Sequence, residues 1–418
     1  MMHAHFMSDG SGARRRWVAE ALAALLLGAL GLPASAQTTV KVSTAAQLQN
    51  AVATANSSGG NQIIALADGT YTVTATLNIT VPNVTLTSQS GIRENVIIQG
   101  DAMSANAAVQ DLIRAAASHF TVSNVTLQKS GWHLLQVVGE LNADNALIHN
   151  VVFRDGYQQL LKVSFDPTGH PGVSGDNGIV EDSLFEYTAG IGPEYYIGGI
   201  DVHAGQNWIV RRNTFRSIIS PDTTVAEFAI HFWDGSGYAL VEKNLIVNCD
   251  RGIGFGLANE GNTAGIIRNN MVYHAPGNGQ FADVSIYLED SPNTQVYNNT
   301  ILADHAYPNA IEYRFADTTG VTIVNNLSNK ALDARDGASA TTAHNVLTAT
   351  DSWFVNPAQG DMHLSSALAA VVDAGQSVTG LTDDFYGSAR PQGSGFDIGA
   401  QEWAASPAPN PPTNVRVL

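Results

Sequence analysis

Asp201 and His203 flank a single valine in Ile200-Asp-Val-His203. On an extended strand, residues at this spacing leave by the same face, so a carboxylate and an imidazole stand side by side on a rigid element. Such a pair can move a proton. Four other segments repeat the alternation: Leu160-Leu-Lys-Val-Ser164, Ala229-Ile-His-Phe-Trp233, Val284-Ser-Ile-Tyr-Leu-Glu289 and Ile311-Glu-Tyr-Arg-Phe315. One parity is apolar (Leu161, Val163, Ile200, Val202, Ile230, Phe232, Ile286, Leu288). The other carries Lys162, Asp201, His203, His231, Trp233, Tyr287, Glu289, Glu312 and Arg314. Stacked as parallel strands about 4.8 Å apart, the segments would line these polar residues into a stripe on one outer face. Outward residues are ordinarily polar. Charged residues make up only 14% of this chain, however, so a stripe of this mixture stands out. Gly252-Ile-Gly-Phe-Gly256 falls between His231 and Tyr287 and predicts a gap in the same face, beside Arg251, where a ligand could sit.

Aromatic rings beside charged groups suit a sugar subsite. The ring stacks on a pyranose face while charges grip carboxylates or hydroxyls. Trp233, Arg251, Tyr287, Glu289, Arg314 and Arg212 are the candidate substrate-binding residues. Removing the proton next to a uronate carboxylate needs a cation for the developing charge, a base, and an acid for the leaving oxygen. Lys162 or Arg314 could supply the cation, or a Ca²⁺ held by Asp and Glu. His203, His231 or Tyr196 could supply base and acid. Hydrolysis would instead need two opposed carboxylates, for which Asp201, Glu227 and Asp234 are available. The acidic residues are too scattered for spacing to define a metal site, and no cofactor motif is visible. The single cysteine, Cys249, reads as a small buried residue.

These side chains need a scaffold that repeats. From about His119, Asn or Asp recurs just before a short apolar strand, at 124, 150, 182, 213, 244, 270, 299, 326 and 345. Most steps are roughly 26–32 residues, a solenoid period, and the alternation within each copy is two, not 3.6. The fold predicted is all-β: a right-handed parallel β-helix whose stacked Asn residues form one hydrogen-bond ladder. Leu48, Val52 and Ala55, with Thr44 as N-cap and Gly59-Gly60 as stop, predict a short helix covering the first coil. Residues 364–403 leave the repeat and are expected to close the other end. Loops 166–177 and 220–227 should wall the groove, with Tyr195 and Tyr196 projecting into it.

Residues 1–36 have the layout of a secretory signal peptide: Arg14-Arg-Arg16, an apolar run, then Ala34-Ser-Ala36. The β-helix domain is expected over 37–403, and 404–418 as a Pro-rich linker or tail. A secreted protein, periplasmic or extracellular and bacterial, follows, with no membrane association once the leader is cleaved. One cysteine allows no intrachain disulfide. A formal net charge of −17 argues against nucleic acid as a partner. A polysaccharide is the expected partner, and a monomer the expected state.

Val42-Ser-Thr-Ala-Ala-Gln-Leu-Gln-Asn-Ala, Ile64-Ala-Leu-Ala-Asp-Gly-Thr-Tyr71 and Val84-Thr-Leu-Thr-Ser-Gln-Ser-Gly91 resemble the start of β-helix polysaccharide lyases of the chondroitinase B and alginate lyase type. The repeats resemble the wider pectin-lyase-like superfamily, whose members include lyases, epimerases, hydrolases and binding proteins. Tyr196 followed by Asp201-Val-His203 is similar to the Tyr…Asp-Pro-His arrangement of mannuronan C5-epimerases, with Val202 in place of the proline and a longer gap from Tyr to Asp. That resemblance implies His203 and Tyr196 as acid and base, Asp201 as their support and Lys162 on the substrate carboxylate. Asp383-Asp-Phe-Tyr-Gly through Gln401-Glu402 resembles the closing segment of secreted bacterial β-helix proteins and implies a C-terminal cap. The reading is a lyase cleaving an acidic polysaccharide such as alginate by β-elimination. A uronan C5-epimerase, an inverting glycoside hydrolase and a non-catalytic glycan-binding surface protein are the alternatives.

Overall fold

The computed structural model describes residues 37–279 and 281–404, so the expected leader and all of the tail beyond Ala404 lie outside the described residues. Three parallel sheets of 12, 10 and 10 strands run from Thr38 to Ala343, and most coils contribute one short strand to each. The period-two segments form these strands because their apolar parity faces a common interior. Leu161, Val163, Ile200, Val202, Ile230, Phe232, Ile286 and Leu288 are fully buried. Register between coils carries like residues onto like. Phe153, Phe185 and Phe215 stack at 4.5 Å and 4.8 Å between ring centres. The stretch from Ile200 to Arg216 holds three strands, Ile200–His203, Ile209–Arg211 and Thr214–Arg216. Val210 fills the core there. Among the described residues no helix is long and apolar enough to cross a membrane.

The expected asparagine ladder forms from Asn213 to Asn345, but the first three expected positions lie outside it. Asn213, Asn244, Asn270, Asn299 and Asn326 each donate from Nδ2 to the next asparagine Oδ1, ending at Asn345, over distances of 3.0–3.1 Å. Asn124, Asn150 and Asp182 belong one position earlier in the turn. In that column Arg212, Lys243, Asn269, Asn298 and Asn325 follow them, all with φ between 51° and 56°. Asparagine suits both columns, as a short side chain tolerated in the left-handed region and as a buried amide that satisfies its neighbours.

The helix α1 (Ala45–Ser58) forms as expected. Thr44 Oγ1 accepts from Gln47 N at 3.2 Å, Gly59 ends the helix at φ 83°, and Leu48, Ala51, Val52 and Ala55 are buried. The helix packs on the strands of the first coil, which covers an otherwise open edge. The segment after 364 differs from expectation. It runs back along the solenoid and packs Leu364, Val371, Phe385 and Ile398 onto Leu245, Val247, Met271, Tyr273, Leu302 and Leu327. Those residues would otherwise present an apolar outer face. The left-handed turn column anchors the segment: Asn269 donates to Asp383 O at 2.8 Å, Asn298 to Asp397 O at 2.9 Å and Asn325 to Gln376 O at 2.8 Å.

Candidate active site

The polar stripe is a register column of one ten-stranded sheet. Pairing runs Arg114, Gln136, Lys162, Asp201, His231, Gly254, Tyr287, Glu312 and Asp333, one residue per rung. A second column places His203 beside Trp233, and Glu289 beside Arg314 and Arg335.

Lys162, Asp201 and His203 meet at the centre. Lys162 Nζ lies 2.5 Å from Asp201 Oδ2 and 2.5 Å from His203 Nε2. His203 Nε2 is 3.3 Å from Asp201 Oδ2, and its Nδ1 is 3.1 Å from Asp234 Oδ2. A charged ammonium has only protons to offer, so Nε2 is the acceptor and the imidazole proton sits on Nδ1, donated to Asp234. Trp233 Nε1 donates to Asp201 Oδ1 at 2.8 Å, and the indole ring lies against both His203 and His231, at 4.4 Å and 5.2 Å between centres. Burial of Asp201 opposes its charge, but the ammonium of Lys162 and the contacts of His203 and His231 outweigh it and hold the carboxyl well below its usual range. Asp201 is thus a fixed anion that organises the cluster.

His231 joins the cluster from below. It is 1% exposed, its Nδ1 is 3.6 Å from Asp201 Oδ1, and its Nε2 is 3.3 Å from Gly256 O. It positions Asp201 and does not face the solvent. His133, which the sequence did not single out, lies on the floor nearby with Nδ1 2.9 Å from Gln159 O. Burial, together with the charge of Lys162, pushes its pKa down to about 4. Its signal was faint: it precedes Leu134-Leu135 as Gln159 precedes Leu160-Leu161. Asp234 was legible only as a spare carboxylate; that it backs His203 depends on the turn following Trp233.

Other expected members stand apart. Tyr196 is 36% exposed, with its ring 6.3 Å from that of Tyr195, and is not among the hydrogen-bond partners of Lys162, Asp201 or His203. Arg212 is not on this sheet. It sits in the left-handed turn column and binds Glu181 at 2.9 Å and Asp182 at 2.8 Å. Tyr287, Glu289 and Arg314 form their own network: Tyr287 Oη donates to Glu289, Arg314 reaches Tyr287 at 2.9 Å and Glu289 at 3.1 Å, and Asp336 holds its other side at 2.7 Å. Arg251 lies over the Phe228 ring at 4.9 Å and 3.4 Å from Asp283. The expected glycine gap is filled by the protein itself. A Cβ at Gly254 would stand 2.8 Å from the Phe228 ring, and backbone oxygens of Ser285 and Glu289 crowd Gly252 and Gly256. Of the two expected walls, 220–227 is pinned by Asp250, which accepts from Ser220 N at 2.9 Å and Ala226 N at 3.1 Å. Cys249 is buried, and its thiol pKa is pushed up to about 12.

Neither candidate place for a divalent cation fits one. Lys162, His203 and Trp233 already take both oxygens of Asp201. His149, Glu181 and Asp182 lie close enough together to hold an ion, but Arg211 and Arg212 occupy the same carboxylates at 2.7–2.9 Å.

The family profile described as the right handed beta helix region matches residues 198–373. Pectate lyase Pel9A overlays with a TM-score of 0.53 at 14% identity, over 84% of this chain and 90% of that one. An alginate lyase from Paenibacillus sp. str. FPU-7 overlays with a TM-score of 0.50 at 15% identity, over 74% and 99%. PfbA, a surface adhesin of Streptococcus pneumoniae, gives 0.48 at 12% identity, over 73% and 92%. No curated protein sequence matches the chain. Together with the three parallel sheets of stacked coils, the profile and the first two overlays identify the fold: the chain is a right-handed parallel β-helix of the kind found in polysaccharide lyases.

Proposed function

We propose that this protein is an exported polysaccharide lyase that cleaves a uronate-containing polysaccharide, with alginate the first substrate to try, by β-elimination. The observation that carries the reading is the placement of His203 between two partners. Asp234 accepts from Nδ1 at 3.1 Å, while Nε2 faces the Lys162 ammonium at 2.5 Å. A neutral imidazole with its lone pair beside a cation is the pair that elimination requires.

In this mechanism the substrate carboxylate takes over the Lys162 ammonium and frees His203 Nε2. Neutralising that carboxylate makes the adjacent C5 proton acidic. Nε2 takes the proton, the C5–H electron pair becomes the C4–C5 double bond, and the C4–O4 bond breaks. The imidazolium, held by Asp234, returns the proton to O4. Asp201 holds Lys162 in place. The arrangement disfavours hydrolysis, because Asp201 is a saturated anion that has no proton to give. The carboxyl beside this face raised to about 6, Asp250, is buried in backbone contacts.

The test is absorbance of the unsaturated product. Purified protein is incubated with polymannuronate, polyguluronate, polygalacturonate and glycosaminoglycans, alongside His203→Ala. Absorbance that rises and is lost in the variant supports the reading. Reducing ends without absorbance would replace it with hydrolysis, an inverted sugar centre without cleavage with epimerisation, and no change in any glycan with a binding role.

A further inference from the structure

The sheet face that carries Lys162 is electrostatically one-sided. Toward the C-terminal coils every arginine on this sheet face is already committed: Arg251 to Asp283 at 3.4 Å, Arg314 to Glu289 at 3.1 Å and to Asp336 at 2.7 Å, and Arg335 to Glu312 at 3.0 Å. Asp333 continues the central column beyond Glu312. A polyanion gains nothing there. Toward the N-terminal coils the column reads Gln136, Arg114 and Asn78 and carries no acid. Arg114 is half-buried, donates to Asn78 Oδ1 at 3.3 Å and, among the described residues, has no carboxylate within 4.0 Å. The acid that feels its charge is Asp111, whose own pKa is raised by burial.

We infer that Arg114 anchors a second substrate carboxylate, two rungs from the one held by Lys162, so that the acidic chain lies across the N-terminal coils. The inference rests on the proposed action on a uronan. Two rungs are about 9–10 Å at the spacing of parallel strands. A 1,4-linked pyranose advances by roughly one such rung, and in a two-fold ribbon every second carboxylate faces the same side. The carboxylate between them points away, which suits the neutral amide of Gln136. Arg114 offers a planar fork of donors, of which Asn78 engages one nitrogen.

The experiment compares wild type, Arg114→Gln and Lys129→Gln with mannuronate, guluronate and galacturonate oligomers of increasing length. Lys129 lies on another sheet and supplies a control of equal charge change. Binding is followed by calorimetry and elimination by absorbance. The inference predicts that Arg114→Gln raises KM and weakens binding about tenfold or more, leaves kcat nearly unchanged, and loses its effect on oligomers too short to span both cations. The penalty should shrink with added salt, and Lys129→Gln should match wild type. Elimination by wild type with an unchanged KM in Arg114→Gln would overturn the anchor and leave the lyase reading intact. Arg114-dependent binding without unsaturated product would keep the anchor and overturn the lyase. Absence of both binding and product would overturn both.

Discussion

His203 Nδ1 lies 3.1 Å from Asp234 Oδ2, so the residue that follows Trp233 fixes which nitrogen of the imidazole carries the proton. The other nitrogen faces Lys162. Asp234→Asn presents a donor where an acceptor stood and favours the opposite tautomer. The expected result is a loss of about 10²–10⁴ in kcat with little change in KM, the range in which a misprotonated catalytic histidine falls. Steady-state kinetics with circular dichroism as a folding control checks it. An unchanged kcat would remove Asp234 from the mechanism and, with it, His203 as the base.

Lys162 and Asp201 make a nearly dry ion pair, with side chains 12% and 6% exposed. Removing one partner strands the other, so Lys162→Met alone should cost about 3–5 kcal/mol of stability. Lys162→Met with Asp201→Asn should cost less than the two single changes added together, with a coupling of about 1–3 kcal/mol. Urea denaturation of the four proteins gives the cycle. Additive single changes would mean that Trp233 and the histidines, not Lys162, stabilise Asp201.

The acid limb of stability should come from buried histidines before it comes from the site carboxylate. His133 has its pKa pushed down from an ordinary 6.5 to about 4 by burial, and Lys162 and His203 add repulsion that Asp201 partly offsets. A histidine kept neutral in the folded state is stabilising above 6.5, and that contribution is lost as pH falls from 6.5 to about 4, because the unfolded chain binds the proton first. His133 accounts for about 3 kcal/mol of that loss. His305, also lowered to about 4, adds to the same limb. Asp201 has a dependence of the same sign at a lower pH. Its depressed pKa stabilises the fold above about 3.8 and fails only below that. His133→Gln should therefore flatten the urea midpoint between pH 6.5 and 4, whatever it does to stability at neutral pH. An unaltered slope would show that His133 is already protonated in the folded protein.

A cation is not expected to be part of this site. Lys162 stands where an ion would contact Asp201, and Trp233 takes the remaining oxygen. Treatment with a strong chelator, followed by addition of Ca²⁺, should leave the elimination rate within about twofold, since no charged partner of the substrate is removed. A rate abolished by the chelator and restored by Ca²⁺ would place an ion among the substrate contacts and demote Lys162.

Much of this was legible because parallel coils translate sequence parity directly into one face. Lys162, Asp201 and His231 align in the register as their alternation implies, and His203 joins them because it lies two residues beyond Asp201. What stayed hidden depends on contacts between coils or on turn geometry. The glycines at 252–256 mark close packing, but only the structure shows that Phe228 from the preceding coil takes the space. Arg212 reads as a spare cation until its left-handed turn places it at a corner, over Glu181 and Asp182. The slip between the turn positions of Asn124, Asn150 and Asp182 and the true ladder has the same origin: one residue separates two columns that both accept asparagine.

The ladder itself makes the last prediction. Asn270 is fully buried; its Nδ2 donates to Val241 O at 2.9 Å and to Asn299 Oδ1 at 3.0 Å, while its own Oδ1 accepts from Asn244 at 3.0 Å. Asn270→Ala deletes the amide and leaves polar groups on two coils without partners in a space water does not reach. Each such group costs about 1–3 kcal/mol, so the variant should lose several kcal/mol. Asn345 ends the ladder and is only partly buried. It receives from Asn326 and passes nothing onward to a further asparagine, so Asn345→Ala should cost less, about 1 kcal/mol. Because neighbouring amides polarise one another, the penalty should grow toward the middle of the run. Thermal or urea denaturation of single alanine variants along the ladder measures that profile. Equal costs at Asn270 and Asn345 would mean that each rung acts alone and that the solenoid owes its regularity to the apolar stacks instead.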